Sequence, residues 1–175
     1  MNINLAISQG KKKLKSALIA NPQLDSEILI AKAIKKDRKY VLLNSKHFLN
    51  KNDLKNFYKL IKKRSLGTPV AHLTHKKSFW NSEFFISKDT LIPRPDTELV
   101  VENILSITKK KNKLNILDIG VGSGCILLSI LKEKENFYGT GIDVSSKCLK
   151  ITKINADNLN VHNRLKLYKS DVDKF

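Results

Sequence analysis

Apolar residues recur at helical spacing through the first third of the chain and in short strand-like runs through the last. In "NDLKNFYKLIKKRSLG", Leu54, Phe57, Tyr58 and Ile61 fall at i, i+3, i+4 and i+7, the one-sided stripe of an amphipathic helix. Asn52 or Asp53 is placed to cap its start, and Gly67 to end it. Upstream, Leu5 to Ile19 reads as a helical stretch that "GKKK" interrupts and Asn21–Pro22 breaks. "LDSEILIAKAIKK" resumes the pattern, with Asp25 or Ser26 as N-cap and Leu24, Ile28 and Ala31 on one face. These segments predict a small helical bundle over residues 1–73.

The texture then changes. "KKSFWNSEFFISKD" sets aromatics on both sides of a polar "NSE", which predicts a hairpin linker over residues 74–90. "LIPRPDTELVVENILSITKKK" opens another helix, with Pro95 suited to its first turn and Leu99, Val101, Ile104, Leu105 and Ile107 as its apolar residues. Alternating units follow: strand "LNILDIG", helix "GCILLSILKEK", strand "FYGTGIDV", helix "SKCLKITKINADNL", strand "RLKLYKSD". That alternation predicts an α/β class, with residues 91–175 forming the first half of a doubly wound, Rossmann-like parallel sheet.

The chain has 175 residues, of which 41% are hydrophobic, enough to form a core. No apolar run is long enough for a membrane span, and Cys125 and Cys148 are too few for a disulfide framework. A cytoplasmic protein is the plain reading. The net charge of +17 is concentrated at the front: residues 1–90 carry 19 Lys/Arg against 6 Asp/Glu, and residues 91–175 carry 14 against 10. Only 4 of the 33 basic residues are Arg, and Lys (29), Asn (16) and Ile (18) are abundant together, as AT-rich coding produces. Such an excess signals a nucleic-acid surface only when it clusters on one face. Direct nucleic-acid binding is not expected from composition alone.

The chemistry concentrates in "LDIGVGSGCI". Gly120, Gly122 and Gly124 sit where a strand hands over to a helix, with Val121 and Ser123 between them. Glycine there lets the backbone turn tightly and lets a ligand approach the main chain. A dinucleotide fingerprint calls for a small residue next, and Ile126 is bulky. Asp118, at the strand's end, suits a cationic ligand better than a pyrophosphate. Asp143 ends the second strand about 20 residues on, where a carboxylate can accept both ribose hydroxyls. Asp171 and Val172 end the third strand and are placed for an adenine, although Asp171 alone is equally a turn residue. Three strand ends together point to an adenosine-type ligand, S-adenosyl-L-methionine in particular. His72 and His75 have no third ligand nearby, so no metal site is assigned. Cys125 and Cys148 read as small buried thiols.

At this point the sequence resembles a known family, the release-factor glutamine methyltransferases. The resemblance rests on "GTPVAHL" at Gly67–Leu73, "LIPRPDTELVVE" at Leu91–Glu102, "LDIGVGSGCI" at Leu117–Ile126, "GIDVSSKCL" and the following Asn155–Ala156, with "LDSEILIAKAI" in the front domain. His72 departs from the family's usual tyrosine. The resemblance implies methyl transfer from S-adenosyl-L-methionine to the glutamine amide of the Gly-Gly-Gln tip of class-I peptide chain release factors. Arg94 and Glu98 in "PRPDTE" read as organising the linker helix against the cofactor loop, and spacing does not tell whether they touch ligand. The family's acceptor motif, Asn-Pro-Pro-Tyr after the fourth strand, is absent, because the only "NP" is Asn21–Pro22. The expectation is therefore a front part of a longer enzyme that holds the helical domain and the cofactor half, with no catalytic residue to assign. In the family's sheet order, 3-2-1-4-5-7-6, "LNILDI" would then be a raw edge, unless a second polypeptide supplied the missing strands. An adenine-amino methyltransferase of nucleic acid, or a non-catalytic cofactor-binding subunit, are the alternatives.

Overall fold

Gly10 is the point on which the first helices close. A Cβ there would meet Phe57 Cζ at 2.7 Å and Ser26 Oγ at 3.0 Å, so glycine is what lets the backbones approach. Helix α1 (Ile3–Ser16) consequently runs straight through "GKKK" without the interruption that pattern predicts. Close helix packing, and not a break, is the reason for the glycine.

The computed structural model describes residues 1–174 and divides into two units, Met1–Thr74 and His75–Phe175. The first unit contains α1, α2 (Pro22–Ala33), α3 (Arg38–Leu43), α4 (Lys51–Ser65) and α5 (Val70–Thr74). Its core joins Ile3, Ala6 and Leu14 of α1, Leu29 and Ile30 of α2, Val41 of α3, and Phe57 and Ile61 of α4. Asn50 caps α4, accepting from the Asp53 amide at 2.8 Å, and Gly67 follows its end at φ +94°.

Helix α2 departs from the expected reading. Its cap is Asn21 with Pro22 in the first turn, so Asp25 and Ser26 lie inside the helix. Leu24, expected on the core face, is 39% exposed, while Asp25, Ser26, Glu27, Leu29, Ile30 and Ala31 are all buried. The physical reason is its position: α2 packs against α1, α3, α4 and α5, and a central helix has no single wet side to pattern. Its buried charges are paired, Asp25 with Arg64 at 2.7 Å and Glu27 with Arg38 at 2.8 Å. Burial pushes the Glu27 carboxyl up, but hydrogen bonds from Gln23 and Arg38 outweigh it and hold it below the usual range.

The second unit begins with a hairpin, β1 (Lys76–Phe79) against β2 (Ser82–Phe85), antiparallel. Trp80 turns it at φ +52°, a left-handed conformation held by two bonds. Its amide donates to Glu98 Oε1 at 2.9 Å and its indole N–H to Glu133 Oε1 at 2.7 Å. Glu98 therefore fastens the linker helix to the hairpin turn, whereas the sequence reading places it against the cofactor loop. A short 3-10 turn at Pro95–Thr97 leads into α6 (Glu98–Ile107). Then come β3 (Leu114–Ile119), α7 (Cys125–Glu133), β4 (Phe137–Asp143), α8 (Ser146–Asn158) and β5 (Leu165–Lys169). The three strands are parallel in the order β3-β4-β5, the predicted α/β class.

One face of this sheet, with Leu127, Leu128 and Leu131 of α7 above Leu114, Ile116, Leu165 and Leu167, forms the core. Arg164 closes the far end of α7, donating to the carbonyls of Leu131, Lys134 and Phe137. On β3 the alternate residues Leu117 and Ile119 are 48% and 55% exposed, and among the described residues β3 pairs only with β4. No helix among the described residues is long and apolar enough to cross a membrane.

Breaking a buried pair by removing one partner strands the other charge, which costs several kcal/mol when burial is complete. Arg64→Met, which strands Asp25, is expected to destabilise the chain by about 2–4 kcal/mol in urea unfolding. A loss under about 0.5 kcal/mol would mean that Asp25 finds water or another donor.

Candidate functional site

The parallel strands deliver their carboxyl ends to one edge, and backbone bonds knit those ends together. The amides of Gly120 and Val121, just after β3, both donate to Ile142 O of β4, at 2.9 and 3.0 Å. Ser170 N, just after β5, donates to Asp143 O at 3.2 Å. The glycine loop, the end of β4 and the end of β5 are thus immediate neighbours. In an open α/β sheet this carboxyl edge is where ligands bind.

Gly120, Gly122 and Gly124 all hold positive φ, +77°, +58° and +79°. Gly124 is doubly constrained, because a Cβ there would also strike Leu128 Cδ1 and Thr152 Cγ2, each at 2.8 Å. At Gly120 nothing lies within 4 Å of an added Cβ, so that side of the loop faces open space. Val121 and Ser123 are buried. The Val121 N–H donates to Ile142 O, its carbonyl accepts from Gly124, and the Ser123 carbonyl accepts from Asn155, so these two residues help to hold the loop's shape.

Asp143, itself buried, organises the loop. One carboxylate oxygen accepts from the Gly122 amide at 3.0 Å, the other from the Ser145 amide at 2.8 Å. A carboxylate has about four lone-pair sites, so capacity remains for two hydroxyls. Asp171 and Val172 are exposed beside it. The structure therefore brings Gly120, Gly122, Asp143, Asp171 and Val172 to one edge.

The loop's outer side is held by α8. Thr152 Oγ1 donates to Gly122 O at 2.9 Å, and Asn155 Nδ2 donates to Ser123 O at 2.9 Å. Asn155 is fully buried and also exchanges bonds with the Phe85 backbone, accepting from its N–H at 2.7 Å and donating to its C=O at 3.1 Å. One amide thus joins the hairpin to the glycine loop. The Asn155–Ala156 pair marks the position in the sequence, but nothing in its spacing discloses this role.

Asp118 lies half-buried under the loop. Burial raises its carboxyl from the ordinary 3.8 to about 6, the Leu127 amide in the first turn of α7 opposes the rise, and the Asp143 charge adds to it. A cation bound at this edge would relieve both charges. Burial also pushes the Cys125 thiol up, so it stays neutral and is no nucleophile at pH 7. His72 and His75 fall in different units. Among the described residues no group of three His, Cys, Asp or Glu could hold a metal ion.

Comparison with known proteins agrees with the layout. Residues 6–74 match the PrmC N-terminal domain and residues 95–174 the methyltransferase small domain. The chain is 40% identical over 163 residues to the release factor glutamine methyltransferase of Buchnera aphidicola subsp. Schizaphis graminum, covering 93% of this chain and 58% of that protein. It is 34% identical to the Clostridium acetobutylicum protein of the same name, covering 85% of this chain and 52% of that one. The chain therefore spans little more than half the length of these relatives. Among solved structures, it is similar to an S-adenosyl-L-homocysteine complex of a methyltransferase from Geobacter sulfurreducens, with a TM-score of 0.38 and 26% identity over 45% of this chain and 30% of that one. The resemblance to release factor glutamine methyltransferases thus holds over most of the chain.

Two outcomes follow from the site's bonding. The folded chain holds a proton on Asp118 that the unfolded chain releases near pH 4, so this group's contribution to stability falls as pH rises from about 4 to about 6. Asp118→Asn is expected to gain on the order of 2 kcal/mol at pH 7.5 and almost nothing at pH 3.5. Parallel unfolding curves at the two pH values would contradict it. Asn155→Ala, which leaves the Phe85 and Ser123 backbone groups unpaired, should cost about 2–4 kcal/mol by denaturant unfolding. It should also speed hydrogen exchange at Phe85.

Proposed function

We propose that this chain binds S-adenosyl-L-methionine at the carboxyl edge of its sheet, as the cofactor-holding portion of a release-factor glutamine methyltransferase. The observation that carries the reading is the loop itself: three glycines at positive φ, held by Asp143 through the Gly122 amide, beside open space at Gly120. Asp143 would accept the ribose hydroxyls with its remaining lone pairs, and Asp171 the adenine amino group, with Val172 as apolar surface. The accessible backbone of Gly120 and Gly122 would meet the amino-acid portion. Asp118 would supply negative charge toward the cationic end. Once bound, the cofactor supplies an electrophilic methyl group on a sulfonium.

The acceptor would be the side-chain amide nitrogen of the Gly-Gly-Gln glutamine in class-I release factors, and the setting the cytoplasm. That nitrogen is a weak nucleophile because its lone pair is delocalised into the carbonyl. An enzyme that methylates it must hold the amide in line and accept its N–H protons. The family's Asn-Pro-Pro-Tyr motif, which serves that purpose, is not among these 175 residues. On this reading the present residues would hold the cofactor, and the acceptor groups would lie in the part of the relatives' length that this chain does not span, the match covering 58% of the Buchnera protein. A second polypeptide supplying those strands is one way to complete the sheet.

Calorimetric titration with S-adenosyl-L-methionine tests the cofactor reading on this chain directly, and the absence of heat at millimolar ligand would remove it. Asp171→Ala, at an exposed position, should leave Tm unchanged and weaken binding about ten- to a hundredfold. Methylation assays with a chain that includes the acceptor motif, offered release factor and nucleic acid in parallel, separate glutamine from adenine-amino transfer.

A further inference from the structure

Helix α4 presents a face of one charge. Lys51, Lys55, Lys59 and Lys63 recur every four residues, and Lys62 lies beside them. At 100° per residue all five fall within an arc of about 120°, on the side opposite buried Phe57 and Ile61. All five are exposed. The array is about 18 Å long, with about 6 Å between successive steps. Asn52 shares that arc, Asn56 and half-buried Tyr58 lie at its two margins, and exposed Leu66 follows as the C-cap, so within the helix the arc itself contains no carboxylate and no apolar side chain.

The rest of the unit does not neutralise it. Residues 1–74 carry 14 lysines and two arginines against four carboxylates. Two of those carboxylates are consumed internally, Asp25 by Arg64 and Glu27 by Arg38. Asp37 caps α3, accepting from the Tyr40 amide, and Asp53 lies in the first turn of α4 away from the stripe. Among the described residues no lysine of this unit lies within ion-pair distance of a carboxylate. Clustering on one face is the condition that composition could not test, and α4 meets it.

We propose that this face of α4 is an interaction surface for a nucleic-acid phosphate backbone, read as charge and not as sequence. An acidic protein surface fits less well. Protein interfaces are anchored by aromatic, methionine and arginine side chains and are depleted in lysine. The stripe has five lysines and none of the anchors. Flexible ammonium groups spaced along a straight helix suit a polyanion that gains affinity by releasing counterions.

The test is fluorescence anisotropy of the full chain with a labelled 20-nucleotide oligouridine, at salt concentrations from 50 to 200 mM. Five phosphate contacts predict a log–log salt slope of about −3.5 and a roughly hundredfold loss of affinity across that range. Replacing Lys51, Lys55, Lys59, Lys62 and Lys63 with Gln should weaken binding at 50 mM by about tenfold or more and remove most of the slope. Replacing Lys11, Lys12, Lys15, Lys35 and Lys46 instead makes the same change in net charge and should weaken it less than about threefold. An equal loss in the two variants would overturn the proposal, because the whole-molecule field would then be responsible. So would a slope near zero, or polyglutamate competing as well as RNA at matched charge, which would favour an acidic protein partner. Thermal unfolding reports whether each variant folds. If the fivefold stripe variant does not, the pair Lys55→Gln and Lys59→Gln should reduce the slope to about −2, and an unchanged slope in that pair would likewise overturn the proposal.

Discussion

A buried carboxylate must be satisfied, and in the second unit the groups that satisfy Asp143 define the site. Its two oxygens take the Gly122 amide and the Ser145 amide. The first bond sets the path of the glycine loop. The second sets the start of α8, where Ser145 Oγ in turn accepts from the Cys148 amide. One charge thus fixes both connections that leave the carboxyl edge on either side of β4. The desolvation cost of burying it is offset by amides that would otherwise be unpaired at a turn and a helix entry. Burial raises the Asp118 carboxyl below the loop to about 6, and the Asp143 charge adds to that rise. A site made this way suits a ligand that brings positive charge.

How much of this is legible in the sequence depends on whether a residue's partner is near in the chain or far from it. The strands and helices of the second unit are readable because their signals are local: short β-rich runs alternating with helical stretches, and glycines at a strand end. Gly10 reads as a break because a glycine followed by lysines is a local break signal. Its reason is Phe57, 47 positions away, whose ring occupies the space of a Cβ. Helix α2 misleads because Asp25 or Ser26 reads as its cap, whereas Asp25 and Glu27 both lie buried inside it. Arg64 and Arg38 make them internal, and no periodicity reports a partner on another helix.

The candidate site shows the same division. Gly120, Gly122, Asp143 and Asp171 announce themselves by falling at successive strand ends, which the topology must gather. Val121 and Ser123 share the loop but turn inward, and that alternation follows from positive φ at the glycines between them. The supports from α8, Thr152 and Asn155, are not legible as supports. Each bonds a carbonyl of the loop 30 or more positions away, and Asn155 spans 70 positions to reach Phe85.

These supports also decide what the three-stranded sheet can do as it stands. Parallel sheets are ordinarily covered on both faces, yet here Leu117, Ile119 and Tyr168 are about half exposed. Such a sheet could lose its ligand site if the loop leaned on the uncovered side. It does not, because the bonds that shape Gly120–Gly124 come from Ile142 and Asp143 of β4 and from Thr152 and Asn155 of α8. All four lie on elements that the described residues contain and bury. Among the described residues these loop bonds come from β4 and α8, and none comes from the side of β3 away from β4. The loop on which the proposed cofactor reading rests is thus shaped by bonds from β4 and α8, whatever lies beside β3.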